Sequence, residues 1–349
     1  MKRLYKNLVL MSLALLVVVL SSCSGSDYLN AIPKKSTALI SVDLQQMASD
    51  KNAEDKAGML KSLLHVDDVD KCGIDISEKL YLFESADGNL GLCAKVSDEG
   101  DVEDWLASLA KKRIASEVKE RKGFHFSVLK DSWLVGFSGQ ALLVMGPVVA
   151  DAQAQLQQQM VKYLKAEEED GITVSPMYER LQTLSSPMAM VAQAQALPEK
   201  FVAPFTLGAP KDTDPSQVVI AADMEVKDGI LQIQGETFSF NETIDKALQK
   251  AAQNYRPIKG SYVKSMPGDA LAGIFMNVNG EQFLPMMQSN RSLQTLLMGI
   301  NQAVDMDNIM RSVDGDMAIV LPTQGDADLK MMMAAKLAHS KWLGDVDYW

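Results

Sequence analysis

The chain has 349 residues, of which 47% are hydrophobic, and its formal net charge is −11 at pH 7. This length and composition exclude an intrinsically disordered chain and provide enough apolar residues for about two domains with large cores. A strongly acidic chain is a poor partner for nucleic acid and for an anionic lipid surface, so we expect no nucleic-acid partner.

The first 22 residues have the three parts of a lipoprotein signal peptide. A basic start at residues 1–6 precedes an uncharged apolar run at residues 8–20, which is shorter than the roughly 20 apolar residues that span a bilayer. Leu20-Ser21-Ser22-Cys23 then resembles the lipobox of bacterial lipoproteins, in which diacylglycerol is attached to the cysteine sulfur and cleavage falls before it. The resemblance implies that Cys23 carries the lipid; an ordinary secretory signal is the alternative.

Two features near Cys23 bear on where the lipid would hold the protein. Ser24 rather than an aspartate follows the cysteine, which resembles outer-membrane sorting in enteric bacteria. Residues 24–27 carry one acid, whereas surface-exposed lipoproteins of the Bacteroidetes tend to carry an acidic run there. We therefore expect an outer-membrane lipoprotein on the periplasmic face rather than on the cell surface, held by acyl chains such as palmitate.

A first α+β unit is predicted at residues 32–170, after a short tether at residues 23–31. Period-two apolar patterns place its strands at 38–44, 80–84, 90–96, 124–128, 133–137 and 141–145. Helical spacing of apolar residues places one helix from Gln45 to about Leu64, one that Asp101 caps, and one from Pro147 to about Lys165. We expect antiparallel sheets with these helices packed on one face.

Residues 171–260 are predicted to form a middle α+β region. A short helix at 177–184 and a strand at 188–194 precede a loop that contains three prolines. A hairpin follows at 218–233, and its alternation of apolar and polar residues predicts one buried and one solvated face. A helix is expected at 242–254.

The last part of the chain, residues 261–349, is similar to its beginning. Five positions correspond at a constant offset: Pro33, Ala38, Ile40, Asp43 and Leu44 match Pro267, Ala272, Ile274, Asn277 and Val278. Farther along, residues 93–96 match residues 334–337, and Asp87-Gly88 matches Asp314-Gly315 more loosely, since the second hairpin has a longer connection. Each group reads as a strand that ends in a short polar residue, Asp43 or Asn277, which could cap a helix. This predicts two related strand-helix-hairpin units, with chance similarity as the alternative.

The second of these units is expected to be incomplete. After residues 334–337 the sequence continues for a short distance, whereas the first unit goes on through a meander and a long helix. Trp342, Tyr348 and Trp349 would then have lost much of the sheet on which they pack.

Four short segments carry a resemblance to a known family. They are residues 28–33, residues 38–44, Gly73-Ile74-Asp75 and Tyr81-Leu82-Phe83. Over most of its length the chain resembles Bacteroidetes lipoproteins of the domain-of-unknown-function family numbered 4836. These are fold-type motifs, so the resemblance implies no catalytic or binding residue.

Two cysteines remain besides Cys23. The oxidising cell envelope permits a disulfide between Cys72 and Cys93, and two buried thiols are the alternative.

Each sequence pattern that could indicate a metal site or a catalytic nucleophile lacks a required residue or spacing. His65, His125 and His339 are too widely spaced for a zinc site. Ser138 lies in a sequence that lacks the second glycine of a nucleophile elbow, and residues 68–79 depart from a calcium loop at Cys72 and Lys79. We therefore expect no catalytic residue, no metal site and no cofactor.

The sequence favours a non-catalytic lipoprotein that binds or scaffolds a protein or a glycan in the envelope. The alternative is an envelope hydrolase that uses paired carboxylates. An exposed apolar groove would favour binding, whereas two carboxylates close together in a deep cleft would favour hydrolysis. The sequence does not predict the oligomeric state.

Overall fold

The computed structural model describes residues 26–49, 58, 61, 68–198, 202–203, 205–227, 230–265, 270–290, 294, 305–322 and 332–340. The signal peptide, Cys23 and the aromatic residues Trp342, Tyr348 and Trp349 lie outside the described residues. The described strands form one antiparallel sheet of ten strands and one of three. Together with the helices, these sheets confirm the predicted α+β class.

The strands and helices are as follows. The strands are β1 Ala38–Val42, β2 Leu80–Glu84, β3 Leu90–Lys95, β4 Lys119–Arg121, β5 Phe124–Leu129, β6 Trp133–Phe137, β7 Ala141–Gly146, β8 Met188–Gln193, β9 Val219–Lys227, β10 Ile230–Phe238, β11 Ala270–Asn279, β12 Val313–Pro322 and β13 Met332–Leu337. The α-helices are α1 Leu44–Ser49, α2 Glu99–Lys111, α3 Gln153–Leu164, α4 Pro176–Leu181, α5 Glu242–Ala252, α6 Gly280–Ser289 and α7 Met306–Arg311.

The large sheet has the strand order β10-β9-β8-β1-β2-β3-β7-β6-β5-β4. Side chains alternate between its two faces: in β2, Tyr81 and Phe83 are each 3% exposed, whereas Leu82 between them is 40% exposed. We call the face of Tyr81 and Phe83 the covered face. It packs against the 3-10 helix Asp27–Ala31, α3 and α4.

The opposite face of the large sheet, which we call the open face, is covered by a helix over part of its width. There α2 places Val102, Leu106 and Leu109 on Val135 and Phe137 of β6. Helices therefore lie on both faces of this sheet. On the open face, Leu92 of β3 packs against the cluster of α2, whereas Leu82 of β2 and Leu90 of β3 are 40% and 48% exposed.

The segment at residues 26–31, expected to be part of a tether, packs into the folded body. In the 3-10 helix Asp27–Ala31, Tyr28 and Leu29 are buried, and the following Ile32 is fully buried. The Tyr28 hydroxyl donates to the carbonyl oxygen of Lys79 at 2.8 Å. This packing follows from composition, because a segment rich in large apolar side chains gains free energy when it is buried against the sheet.

Cys72 and Cys93 are both buried thiols, and no disulfide joins them in the structure. The Cys93 Sγ donates to the carbonyl oxygen of Tyr28 at 3.4 Å. Burial raises the pKa of the Cys93 thiol.

Two helices begin at residues other than those predicted. Asp98 rather than Asp101 caps α2, because the Asp98 side chain accepts the backbone N–H of Asp101. Pro147 does not begin α3, which starts at Gln153. The backbone N–H of Val148 donates to the carbonyl oxygen of Ser132 at 2.8 Å, and this bond ties the chain to the β5–β6 turn before the helix begins.

The chain divides into two compact units where three regions were expected. Unit 1 comprises Met1–Ala192 and Ala221–Gly235, and unit 2 comprises Gln193–Ile220 and Glu236–Trp349. The expected middle region is split because β8 pairs with β1 and β9 follows β8 in the large sheet.

The β9–β10 hairpin differs from the expected pattern of one buried and one solvated face. In the first part of β9, Ile220 and Ala221 point to opposite faces, yet they are 4% and 1% exposed. Val226 and Ile233 are 44% and 60% exposed. Burial of this hairpin therefore changes along its length, and alternation alone does not predict it.

Unit 2 has a three-stranded sheet in the order β11-β12-β13, and α6 packs on it. Asn279, rather than the expected Asn277, caps α6 by accepting the backbone N–H of Gln282. Asn277 is buried and donates to Asp316 at 3.0 Å. Asparagine is a favourable N-cap residue at either position. Because β11 continues past Asn277 to Asn279, the helix begins after Asn279.

The two predicted repeat units have the same order of elements. In the first, β1 leads into α1 and pairs with β2, which pairs with β3; in the second, β11 leads into α6 and pairs with β12, which pairs with β13. The match of Asp87-Gly88 with Asp314-Gly315 is wrong. The first pair lies in the β2–β3 turn, whereas the second lies inside β12 and pairs with β11.

Candidate functional site

The open face of unit 1 contains an apolar groove of about 680 Å³. Its lining residues come from β1, β2, β3, β5, β6, β7, α2 and the segments beside them: Ala38, Ile40, Leu82, Phe83, Glu84, Leu90, Gly91, Leu92, Trp105, Leu109, Ile114, Leu129, Lys130, Trp133 and Val144. We call this surface the β1–β3 groove. Its volume lies within the roughly 300–1,000 Å³ typical of ligand sites.

Strand register places apolar side chains in a row along the floor of the groove. Ile40 of β1 pairs with Leu82 of β2, which pairs with Leu92 of β3, and Leu92 pairs with Val144 of β7. Directly paired side chains are about 4.5–5.5 Å apart, so the row is continuous across four strands. The floor therefore presents aliphatic surface without a polar interruption.

Leu82 and Leu90 are the most solvent-exposed of the large aliphatic residues in this groove. Their side chains are 40% and 48% exposed. Single exposed leucines are common on protein surfaces, but two in one concave apolar lining form a patch. Trp105 and Trp133 are half-buried and add aromatic surface to the lining.

Two charged residues occur among the described lining residues of the groove, and they lie at separate points. Glu84 is on β2, and Lys130 is in the turn between β5 and β6. The strands β3 and β7 separate them in the sheet. Burial raises the pKa of the Glu84 carboxyl, and a hydrogen bond with Thr37 opposes that shift. An apolar surface with one acid and one base at separate points is suited to binding, and the described lining residues provide no carboxylate pair.

A second cavity of unit 1, of about 670 Å³, lies beside the 3-10 helix Glu168–Asp170. Its lining carries both signs of charge: Lys34, Lys35, Lys162, Lys165, Glu167, Glu169 and Asp170. Lys34 makes an ion pair with Asp170 at 3.4 Å and donates to the carbonyl oxygen of Glu169. The acids of this cavity thus lie among lysines. In glycosidases, by contrast, the surroundings keep one of the two catalytic carboxyl groups protonated.

Of the residues considered for chemistry in the sequence, His65 lies outside the described residues, and His125 pairs with Phe137, the residue that precedes Ser138. Ser138 lies in the β6–β7 turn, where its hydroxyl oxygen accepts the backbone N–H groups of Gln140 and Ala141. His125 is half-buried: its ring stacks on Phe137 at 5.1 Å, and its Nε2 lies 3.7 Å from a carboxylate oxygen of Glu99. In the described part of the chain, no group of three or more His, Cys, Asp or Glu residues is arranged to hold a metal ion.

Sequence motifs do not mark the groove residues as a binding site. A signal for them exists in Leu80-Tyr81-Leu82-Phe83, where apolar residues occupy both faces of a strand. Such a strand is expected to be covered on both sides, and here one side is exposed.

No described helix is long and apolar enough to cross a membrane.

Comparison with known proteins gives a family and a weak structural likeness. A solved structure, crystal form III of TP0453, is 12% identical, with a TM-score of 0.32 over 64% of this chain and 96% of that one, and it carries no argument about fold or function. No curated protein matches the chain. The family model described as Domain of unknown function (DUF4836) matches residues 44–331, which is more than half of the chain. The protein therefore belongs to the DUF4836 family.

Proposed function

We propose that the protein is a non-catalytic, lipid-anchored lipoprotein of the cell envelope that binds a partner protein in the β1–β3 groove. The observation that carries this proposal is the exposure of Leu82 and Leu90, 40% and 48%, within one apolar lining. Exposed apolar patches of this kind mark interaction sites because their burial by a partner is favourable.

The chemistry of the groove favours a protein over a glycan. A glycan presents hydroxyl groups that need hydrogen-bonding partners, whereas Glu84 and Lys130 are the charged side chains of the lining and most of the rest is aliphatic or aromatic. The centres of protein–protein interfaces are apolar and depleted in charge, with aromatic residues enriched. Trp105 and Trp133 beside a leucine-rich floor match that composition.

The anchor part of the proposal rests on residues 1–23. The basic start, the apolar run and Leu20-Ser21-Ser22-Cys23 support lipidation of Cys23, and Ser24 with the single acid of residues 24–27 supports the periplasmic face of the outer membrane. In the producing bacterium, radioactive palmitate should label the natural protein and should not label the Cys23→Ala variant. Label that persists in Cys23→Ala would contradict lipidation at this residue.

The groove is tested with the soluble chain of residues 24–349 and an uncharged dye that fluoresces in apolar surroundings. We expect the dye to bind and its emission to fall several-fold in Leu82→Lys and Leu90→Lys, because a charged side chain removes apolar surface from the groove. Ile233→Lys is the matched control, since Ile233 is an exposed aliphatic residue of β10, 60% exposed, outside the groove. Equal emission from all three variants would contradict the proposed binding site.

A further inference from the structure

We propose that unit 1 carries a basic surface that binds the anionic phospholipid head groups of the membrane in which the protein is anchored. This inference rests on the lipid anchor of the proposed function and specifies which side of unit 1 faces that membrane. We call the surface the basic band. Its members are Lys34, Lys35, Lys119, Arg121, Lys162 and Lys165.

Strand register places two members of the band at the β4 edge of the large sheet. Lys119 and Arg121 are two residues apart on β4, so their side chains lie on the same face, and both are exposed. Arg121 pairs with Phe124 of β5 and donates to the side-chain oxygen of Gln157 on α3 at 2.5 Å. The two cations therefore lie on the α3 side of the sheet, which is the covered face.

Lys165, which follows α3, connects this edge with the lysine-lined cavity. Its Nζ lies 5.6 Å from the centre of the Phe124 ring, and Phe124 is the strand partner of Arg121. Lys165 also lines the cavity of about 670 Å³, together with the three other lysines of the band. The six side chains thus follow one another along one side of unit 1.

The acidic residues of this surface do not cancel its positive charge. The acidic run at residues 167–170 adjoins the cavity, and its last member, Asp170, is paired with Lys34. Within the described part of the chain, the other members of the band make no ion pair. The chain as a whole has a net charge of −11, but charges farther than about 10 Å away are largely screened at 0.1 M salt. A charged surface placed against the band therefore interacts mainly with its lysines and arginine.

The path of the chain brings the same side of unit 1 to the membrane. Cys23 lies three residues before Ser26, the first described residue, and three residues span at most about 11 Å. The 3-10 helix Asp27–Ala31 then packs on the covered face, and Lys34 and Lys35 follow it closely. A lipid on Cys23 would therefore hold the basic band near the head groups. Clusters of Lys and Arg beside a membrane anchor favour anionic lipids, whose phosphate oxygens accept their hydrogen bonds.

The experiment measures the band without the anchor, because the soluble chain of residues 24–349 lacks Cys23. The chain is sedimented with vesicles of phosphatidylcholine that contain about one-third phosphatidylglycerol, at about 0.1 M salt, and with vesicles of phosphatidylcholine alone. The test variant combines Lys119→Glu with Lys165→Glu. The matched control combines Lys246→Glu with Lys250→Glu, which makes the same change in net charge at two exposed lysines of α5, outside the band.

We expect the natural chain to bind the vesicles that contain phosphatidylglycerol, not those of phosphatidylcholine alone, and to be released at about 1 M salt. The band variant should bind at least about tenfold more weakly, and the control variant should bind less than about twofold more weakly. Equal weakening of the two variants would show that net charge alone acts and would overturn the band.

Two further outcomes would also overturn this proposal. Release by inorganic phosphate at an ionic strength at which chloride has no effect would show a discrete phosphate site instead of a lipid surface. No vesicle binding by the natural chain, with palmitate label on Cys23 and dye binding that depends on Leu82, would exclude the band and leave the proposed function intact. Conversely, loss of the palmitate label with vesicle binding retained would contradict the anchor and not the band.

Discussion

Phe83 and Gly91 face each other across β2 and β3, and the Phe83 ring fills the space that a side chain at position 91 would need. A Cβ atom added to Gly91 would lie 2.2 Å from a ring atom of Phe83. This contact packs the covered face of the two strands whose other face carries Leu82 and Leu90 of the groove. Gly91 thus allows tight packing on the covered face of β2 and β3, whose opposite face forms part of the groove.

Gly91→Ala should lower the free energy of unfolding by about 1–3 kcal/mol, because the buried ring must shift to admit the methyl group. In a Phe83→Leu background the same substitution should cost less, since the smaller side chain leaves room. Urea unfolding of the single and double variants measures both effects. Strictly additive costs would show that the two residues do not compete for space.

Tyr28→Ala should cost about 3–5 kcal/mol of stability, and Tyr28→Phe about 0.5–1.5 kcal/mol, because the latter removes just the hydrogen bond to the Lys79 carbonyl oxygen. Val149→Ala is the control: Val149 is 74% exposed and its truncation should change stability by less than about 0.5 kcal/mol. Thermal unfolding of the three variants tests this order. If Tyr28→Ala costs no more than Val149→Ala, residues 26–31 are a tether after all.

Local patterns predict most strands of this protein but not what covers them. The bounds of β2 and β6 agree with those read from alternation, because side-chain periodicity is a local property. The sequence does not predict the groove, because Leu82 is as apolar as Tyr81 and Phe83 and apolar character alone does not show which face of the strand a helix covers. In the predicted repeat, the cap differs from the observed one by two residues, Asn277 for Asn279, a shift that keeps side chains on the same face.

Asp316 should make the stability of unit 2 depend on acid pH. The backbone N–H groups of Lys259 and then Ser261 lower the pKa of this carboxyl. A lowered native pKa gives stabilisation that is present above the unfolded value of about 3.9 and is lost as the pH falls through the native value. Asp316→Asn should therefore unfold more easily at neutral pH and show a weaker loss of stability on acidification.

The matched control for Asp316 is Asp314→Asn on the same strand. Asp314 pairs with Arg256 at 2.9 Å, and both side chains are more than 40% exposed. An exposed pair of this kind contributes about 0–1 kcal/mol. Circular dichroism from about pH 2 to 7 compares the variants. The same acid sensitivity in Asp316→Asn as in the natural protein would contradict the role assigned to Asp316.

Glu84 should make groove binding stronger at lower pH. Burial already raises the pKa of this carboxyl, and an apolar occupant that excludes water raises it further. Binding then takes up a proton, so affinity increases as the pH falls from neutral toward that pKa. Glu84→Gln should bind the uncharged dye more tightly at neutral pH and with no pH dependence. An unchanged pH profile in Glu84→Gln would exclude this residue as the cause.

The claim that the β1–β3 groove is open is tested most directly by thiol labelling in the soluble chain of residues 24–349. The two natural cysteines of that chain, Cys72 and Cys93, are each 0% exposed, so an introduced cysteine is the reactive one. Leu82→Cys and Leu90→Cys should react with a maleimide in the folded protein at a rate comparable with that of the exposed control Ile233→Cys. Reaction as slow as that of the buried natural cysteines would contradict the open groove and the function proposed for it.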